Sequence, residues 1–235
     1  MATTTGWTAR LRLRDSGLFR ESIVDANDGI IAVAGMLEGL AGAGVSDAVL
    51  VAAAASASIA GALAVAGTRW AESAAERDTQ LALVAQEERE LAADPELEVA
   101  ELAAYYESKG LDAPLARQVA EAFSARDALA AQLETEHGID EVMSRGRPAL
   151  NALVGGLTFL LGALVPLLIT ALVPVSIETT AIVVAVVVSL TATSYVAART
   201  GGRPVGVTVA RTLAVGLAAM AISYMTGLLV AALSG

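Results

Sequence analysis

Long stretches without a charged side chain are the feature that most restricts what this chain can fold into. Four windows contain no Asp, Glu, Lys or Arg: residues 48–68, 148–177, 179–198 and 212–235. About 20 apolar residues are enough for a helix to cross a bilayer, whereas a buried helix of a soluble protein rarely runs that far without a charge. A fifth apolar window, residues 29–45, is interrupted only by Glu38. The sequence therefore predicts an all-α membrane protein.

These windows predict five transmembrane helices and a four-part organisation. The helices are expected at residues 23–44, 47–69, 149–173, 177–197 and 206–233. The parts are an N-terminal segment (1–20), spans one and two (21–70), a helical insert (71–147) and spans three to five (148–235). The polar N-terminus has no short apolar core followed by a small-residue cleavage site, so span one is expected to act as the insertion signal.

The positions of the arginines predict the orientation in the membrane. The loops expected on one side carry Arg10, Arg12, Arg14, Arg20, Arg69, Arg145, Arg147, Arg199 and Arg203. The opposite short loops contain Asp47 and Glu178 and no Lys or Arg. The positive-inside rule then places the N-terminus and the insert in the cytoplasm and the C-terminus outside. A single lysine beside 14 arginines is typical of a GC-rich bacterial genome, which indicates a bacterial plasma (inner) membrane.

The negative charge of the chain is confined to the insert. Residues 71–147 contain 18 Asp and Glu against 7 Lys and Arg, whereas the rest of the chain has a net charge of +1. Such an acidic segment favours cations and argues against nucleic acid as a partner. The chain has no cysteine, which excludes disulfides and thiolate metal sites.

Helix signals divide the insert into three helices. The first continues from span two to about residue 92. Asp94 and Pro95 are a good N-cap and first helical residue for the second, over residues 95–108. The third begins after Asp112 and ends near His137, where Gly138 follows.

Two glutamate pairs flank the junction between the first two of these helices. Glu87 and Glu90, like Glu98 and Glu101, are spaced i, i+3 and share a helix face. Four carboxylates that converge would form an oxygen-rich site for Fe²⁺, Mn²⁺ or another divalent ion, although such pairs are also common on solvated helix surfaces. His137, the only histidine, is a further candidate ligand, or a residue that favours the helix C-terminus.

Span one carries a second group of acids. Glu21, Asp25 and Asp28 are spaced four and three apart and so share a face, and Glu38 lies ten residues beyond Asp28, near Met36 on a different face. A carboxylate at the centre of a membrane costs about 2.5–3.5 kcal/mol and usually has a function. These residues are the candidate transport path for a divalent ion or for protons, with an interfacial position without a transport role as the alternative for Glu21 and Asp25.

The order of these parts resembles the vacuolar iron transporter family over residues 20–233. The resemblance is carried by the acidic insert, the stretch 155–166 and three motifs: Asp25-Ala26-Asn27-Asp28-Gly29, Glu136-His137-Gly138-Ile139 and Ser223-Tyr224-Met225-Thr226-Gly227. It implies an insert that binds metal through two Glu-x-x-Glu pairs and a glutamate on its last helix, matched here by Glu87, Glu90, Glu98, Glu101 and Glu136. It also implies a homodimer that moves Fe²⁺, and often Mn²⁺, out of the cytoplasm in exchange for protons, with Asp28 on the ion path.

The chain departs from the family pattern at four positions. Gln132 and Leu133 stand where two methionines are typical, Val65 replaces a membrane methionine, and Arg69 replaces a glutamate found in many bacterial members. The loss of a soft ligand makes a harder ion such as Mn²⁺ more plausible as the substrate.

The leading hypothesis is a divalent metal/proton antiporter, with Fe²⁺ or Mn²⁺ as the transported or regulatory ion and no permanently bound cofactor. In it the insert glutamates gather the ion and Asp28 and its neighbours receive it. The alternative is a membrane-anchored metal-binding or sensing protein with a degraded pore, and a third interpretation makes the insert a docking platform for a cytoplasmic partner. An enzyme is not expected, because no nucleophile–base constellation or phosphate-binding glycine loop is present.

Overall fold

The structure, a computed structural model, is entirely helical in its regular elements. It describes residues 4–234, and for residues 4–16 and Val175 the backbone alone. Within this part of the chain there are seven helices and no strand: α1 (Thr4–Gly42), α2 (Asp47–Ala93), α3 (Pro95–Ser108), α4 (Ala113–His137), α5 (Arg147–Leu172), α6 (Val175–Thr200) and α7 (Val205–Ser234). The predicted all-α class is confirmed.

Four of the described helices are long and apolar enough to cross a membrane. They are α2, α5, α7 and residues Ser176–Thr200 of α6. The helix α1 is not among them, because every stretch of 18 residues in it contains at least three charged side chains. Even its last 18 residues, 25–42, include Asp25, Asp28 and Glu38. The predicted fifth span therefore stays a prediction.

The helix α1 begins earlier than the predicted first span. It runs without interruption from Thr4, so most of the predicted N-terminal segment belongs to the same helix as span one. The segment contains no proline, and an isolated glycine such as Gly17 weakens a helix without ending it. Residues 1–3 of the predicted segment lie outside the described residues.

The chain divides into two compact units. The apolar unit consists of Met1–Trp70 and Ala149–Gly235, and the acidic unit consists of Ala71–Pro148. The single helix α2 contributes its first part to the apolar unit and its second part to the acidic unit.

The core of the apolar unit forms around α1. Apolar side chains from five helices meet there; they include Ile30, Val33 and Leu37 of α1, Leu50 of α2, Phe159 of α5, Leu190 of α6 and Met220 of α7. Glycines let the helix backbones touch: a Cβ atom on Gly162 would lie 2.0 Å from the carbonyl oxygen of Ala26, and one on Gly227 would lie 1.9 Å from that of Gly39. Close contact between small residues is typical of helices packed in membranes.

In the acidic unit, α3 and α4 pack against each other through Leu102, Ala103, Ala120 and Ala131. Asp94 caps α3 as predicted, since its carboxylate accepts a hydrogen bond from the amide of Leu97 at 3.1 Å. The observed range of α3, Pro95–Ser108, is the predicted one.

The third predicted helix of the insert is broken at Asp127. This residue has φ −164° and ψ 90°, and its carboxylate accepts a hydrogen bond from the amide of Ala130 at 3.1 Å. Asp127 thus acts as the N-cap of a new helical segment inside α4. An Asp in a helical pattern is compatible with a continuous helix or with a break, because its side chain competes for nearby backbone amides.

Candidate functional site

The acidic unit brings together residues from three helices. Glu87 lies near the end of α2, Glu98 lies in the first turn of α3, and Glu136 and His137 are the last two residues of α4. Only Asp94 separates α2 from α3. Because this junction is so short, the acidic ends of α2 and α3 stay close to each other.

Glu87 is the most buried member of this group. Its side chain is 1 % exposed, its Oε1 lies 2.9 Å from Nε2 of His137, and its Oε2 has no hydrogen-bond partner among the described residues. Glu87, Glu136 and His137 can each offer one ligand atom, and these atoms lie within 4.8 Å of one another. Two carboxylates and an imidazole at this spacing are a suitable set for Fe²⁺, Mn²⁺ or Zn²⁺.

Glu98 is held by Gln132. The amide nitrogen Nε2 of Gln132 donates to the carboxylate oxygen Oε2 of Glu98 at 2.6 Å and to its main-chain carbonyl at 2.9 Å. Both side chains are buried. Since Nε2 faces two acceptors, the orientation of the amide is determined, and its Oε1 is buried without a partner in the described part of the chain.

The electrostatic field of this cluster acts on two of its carboxyl groups. Burial raises the pKa of Glu98, and the charges of Glu101, Glu87 and Glu90 raise it further, against the hydrogen bond from Gln132. Burial also raises the pKa of Glu136, with added contributions from Glu87, Glu101 and Glu98 and an opposing one from His137. A divalent cation would relieve this mutual repulsion.

The structure separates the six predicted metal ligands into two classes. Glu87, Glu136 and His137 form the close group, whereas Glu98 is bonded to Gln132. Glu90 and Glu101 are exposed, and they act on Glu98 through their charges. The close group is available for direct coordination, and the other acids add negative potential.

In the apolar unit, Asp25 forms an ion pair with an arginine. Asp25 is 4 % exposed, and Arg69 of α2 reaches it with Nη2 at 2.7 Å from Oδ1 and Nε at 3.3 Å from Oδ2. Nη1 of Arg69 also lies 3.7 Å from a carboxylate oxygen of Glu21.

The remaining candidates of the predicted path are in different environments. Asp28 is exposed, Glu38 is buried, and Met36 packs against the core of the unit. Oε1 of Glu38 has no partner among the side chains that the structure describes. Its buried electrostatic neighbour is Glu178 of α6, a residue that the sequence pattern placed in a loop.

Two site residues were missed by sequence reasoning. Arg69 was noted only for its charge and as a departure from the family pattern, and no local signal links it to a partner 44 residues away. Gln132 was noted only as a departure from a family pattern. Its spacing of four residues from Glu136 placed both on one face of α4, which was the available signal.

Comparison with known proteins identifies the family of this chain. A family model described as the VIT family matches residues 19–228. The chain belongs to the VIT family. The matched residues include α2 to α6 completely and most of α1 and α7, so both the acidic cluster and the Asp25–Arg69 pair lie within the family match.

A curated relative agrees with this assignment. The chain is similar to a vacuolar iron transporter of Acanthamoeba castellanii, with 33% identity over 162 residues. The alignment covers 69% of this VIT-family chain and 59% of the relative. The chain thus spans less than two thirds of the length of the relative it matches.

Proposed function

We propose that this VIT-family protein is a divalent metal/proton antiporter that exports Fe²⁺ or Mn²⁺ from the cytoplasm. The acidic unit binds the ion, and the apolar unit carries it across the membrane. The metal is the transported substrate, and the protein needs no permanently bound cofactor. The similarity to a protein named as a vacuolar iron transporter supports the substrate class.

The observation that carries this proposal is the buried carboxylate of Glu87. A buried carboxylate oxygen without a donor is costly, and Oε2 of Glu87 has none among the described residues. A metal ion held with Glu136 and His137 would satisfy it. A merely solvated acidic surface would not bury this side chain to 1 % exposure.

The ligand chemistry favours ions that bind carboxylate oxygen and imidazole nitrogen. Gln132 and Leu133 precede Glu136 on α4, and neither supplies a thioether. Carboxylate oxygens suit Mn²⁺, and imidazole suits Fe²⁺ and Zn²⁺. Together with the name of the relative, a vacuolar iron transporter, this chemistry supports Fe²⁺ and Mn²⁺ as the proposed substrates.

Competition between protons and metal in the acidic unit supports proton coupling. The raised pKa of Glu98 and that of Glu136 bring protonation closer to neutral pH. A protonated carboxyl is a poor metal ligand, so proton binding promotes metal release.

We further propose that the protein is a homodimer in a bacterial plasma membrane, with five transmembrane helices and no enzymatic activity. Support for α1 as the fifth span comes from its packing: Ile30, Val33 and Leu37 are buried in the core of the apolar unit. A helix surrounded by others needs less apolar surface than one facing lipid. The arginine distribution supports an orientation with the N-terminus and the acidic unit in the cytoplasm and the C-terminus outside.

Flux through purified protein tests this function. The full chain is reconstituted in liposomes of verified orientation that contain a fluorophore quenched by Mn²⁺ or Fe²⁺. We expect metal uptake driven by an imposed pH gradient and abolished by a protonophore. Metal binding without flux in either direction would contradict antiport.

One observation favours a second function, a membrane-anchored metal-binding or sensing protein. The pairing of Asp25 with Arg69 removes an acid from the predicted transport path. In the flux experiment this candidate predicts saturable metal binding with no gradient-driven uptake.

A further inference from the structure

Asp25 and Arg69 form an ion pair in which the guanidinium lies against both carboxylate oxygens. Two nitrogens of one guanidinium face the two oxygens of one carboxylate, at 2.7 Å and 3.3 Å. Bidentate pairs are among the stronger contacts that arginine makes with a carboxylate. The Arg69 side chain is 22% exposed and that of Asp25 is 6% exposed, so solvent screens the pair little.

The neighbouring helix α5 is shaped to accommodate the pair. A Cβ atom on Gly155 would lie 2.9 Å from Cγ of Arg69, 3.2 Å from Oδ2 of Asp25 and 3.4 Å from Cγ1 of Val65. Only a residue without a side chain leaves room for the arginine stem at this place. The guanidinium is therefore held against Asp25 by packing as well as by charge.

Arg69 also acts on the other acids of α1. Its Nη1 lies 3.7 Å from Glu21, and its charge acts on Asp28. Arginine does not lose its proton in proteins, so this positive charge is permanent. A divalent ion that approaches the acids of α1 meets a cation already in place.

We propose that Arg69 is a tethered counter-ion that competes with divalent metal for Asp25 and thereby sets the metal affinity of the α1 acids. The proposal rests on the proposed function in that it takes a divalent cation as the ligand. It goes beyond that function, because it predicts that metal binds both oxygens of Asp25 only after the guanidinium of Arg69 has moved away. Asp28, which is exposed, provides the first contact while Asp25 stays paired.

The test measures Mn²⁺ binding to the full-length protein in detergent by equilibrium dialysis. The parent carries Glu87→Gln, Glu98→Gln and Glu136→Gln, so that binding by the acidic unit does not obscure the result. Arg69→Gln in this parent should raise Mn²⁺ affinity on the order of tenfold or more, because a positive charge a few ångströms from the ion is removed. Adding Asp25→Asn to Arg69→Gln should abolish the gain.

Unchanged Mn²⁺ affinity after Arg69→Gln, in protein with an unaltered gel-filtration profile, overturns the proposal. A gain that survives Asp25→Asn overturns it too, because the new site then lies elsewhere. If Arg69→Gln does not fold, Arg69→Lys is used, because it keeps the charge but loses the bidentate contact. We then expect a smaller rise in Mn²⁺ affinity, and an unchanged affinity would overturn the proposal.

The readout is independent of transport. A wild-type protein without flux refutes the antiporter function, whereas the dialysis result still decides the role of Arg69. If Arg69→Gln in the otherwise native chain gains flux that the wild type lacks, the counter-ion role stands and the wild-type chain is not a transporter.

Discussion

Nε2 of His137 lies 2.9 Å from Oε1 of the buried Glu87, although 50 residues separate them in the chain. The contact joins the end of α4 to the end of α2 inside the acidic unit. It gives Glu87 one partner and leaves its other oxygen without one among the described residues. This half-satisfied carboxylate is the centre of the proposed metal site.

Glu87→Gln should weaken Mn²⁺ binding by the full-length protein by about tenfold or more, because even residues that only support metal ligands contribute 10–100-fold. Isothermal titration calorimetry in detergent measures this. Glu88→Gln is the matched control, since Glu88 is adjacent, exposed and loses the same charge. Equal affinities of the two variants would remove Glu87 from the site.

Gln132→Leu should move the pH midpoint of Mn²⁺ binding upward. The hydrogen bond from Gln132 lowers the pKa of Glu98 against the effect of burial. Without it the carboxyl is protonated at a higher pH and no longer adds its negative charge to the metal site. Binding titrations across a pH series test this, with Gln118→Leu, an exposed position on the same helix, as the control that should not move the midpoint.

The metal-free protein should lose stability as pH rises through the range just above the ordinary glutamate value of 4.5. The folded-state pKa of Glu98 and that of Glu136 are raised, so the folded state binds more protons than the unfolded state there and its stability falls as these groups ionise. Mn²⁺ should therefore stabilise the protein at about pH 7 and much less at about pH 5.

Thermal unfolding with and without Mn²⁺ at both pH values measures this difference. The variant Glu98→Gln/Glu136→Gln serves as its reference, because it lacks both titrating groups. Stabilisation by Mn²⁺ of the same size at the two pH values would contradict the competition between proton and metal.

Gly227→Ala should destabilise the apolar unit by roughly 1–3 kcal/mol, the usual cost of overpacking. The added Cβ would lie 1.9 Å from the carbonyl oxygen of Gly39, so α7 must move away from α1. Gly206→Ala on the same helix is the control, because its Cβ would meet no described atom within 4 Å. Thermal stability in detergent, followed by size-exclusion chromatography, should fall for the first variant alone.

Features with a local cause were predictable from the sequence. Asp94 and Pro95 specify the start of α3, and Gly138 ends α4 in the left-handed conformation, with φ 66°. The i, i+3 spacing identified acids near the α2–α3 junction. The break at Asp127 was not predicted, because the same side chain can cap a new helix or sit in a continuous one.

The sequence by itself determined the helical class, the apolar windows and the location of the negative charge, since these depend on composition and on periodicities of a few residues. The tertiary structure alone decided which carboxylates are buried and what faces them. Asp25 is paired with Arg69, and Glu87 meets His137. Helical periodicity assigns a residue to a face of its own helix, but the partner of that face depends on how distant segments pack, and the free energy of a buried charge depends on that partner.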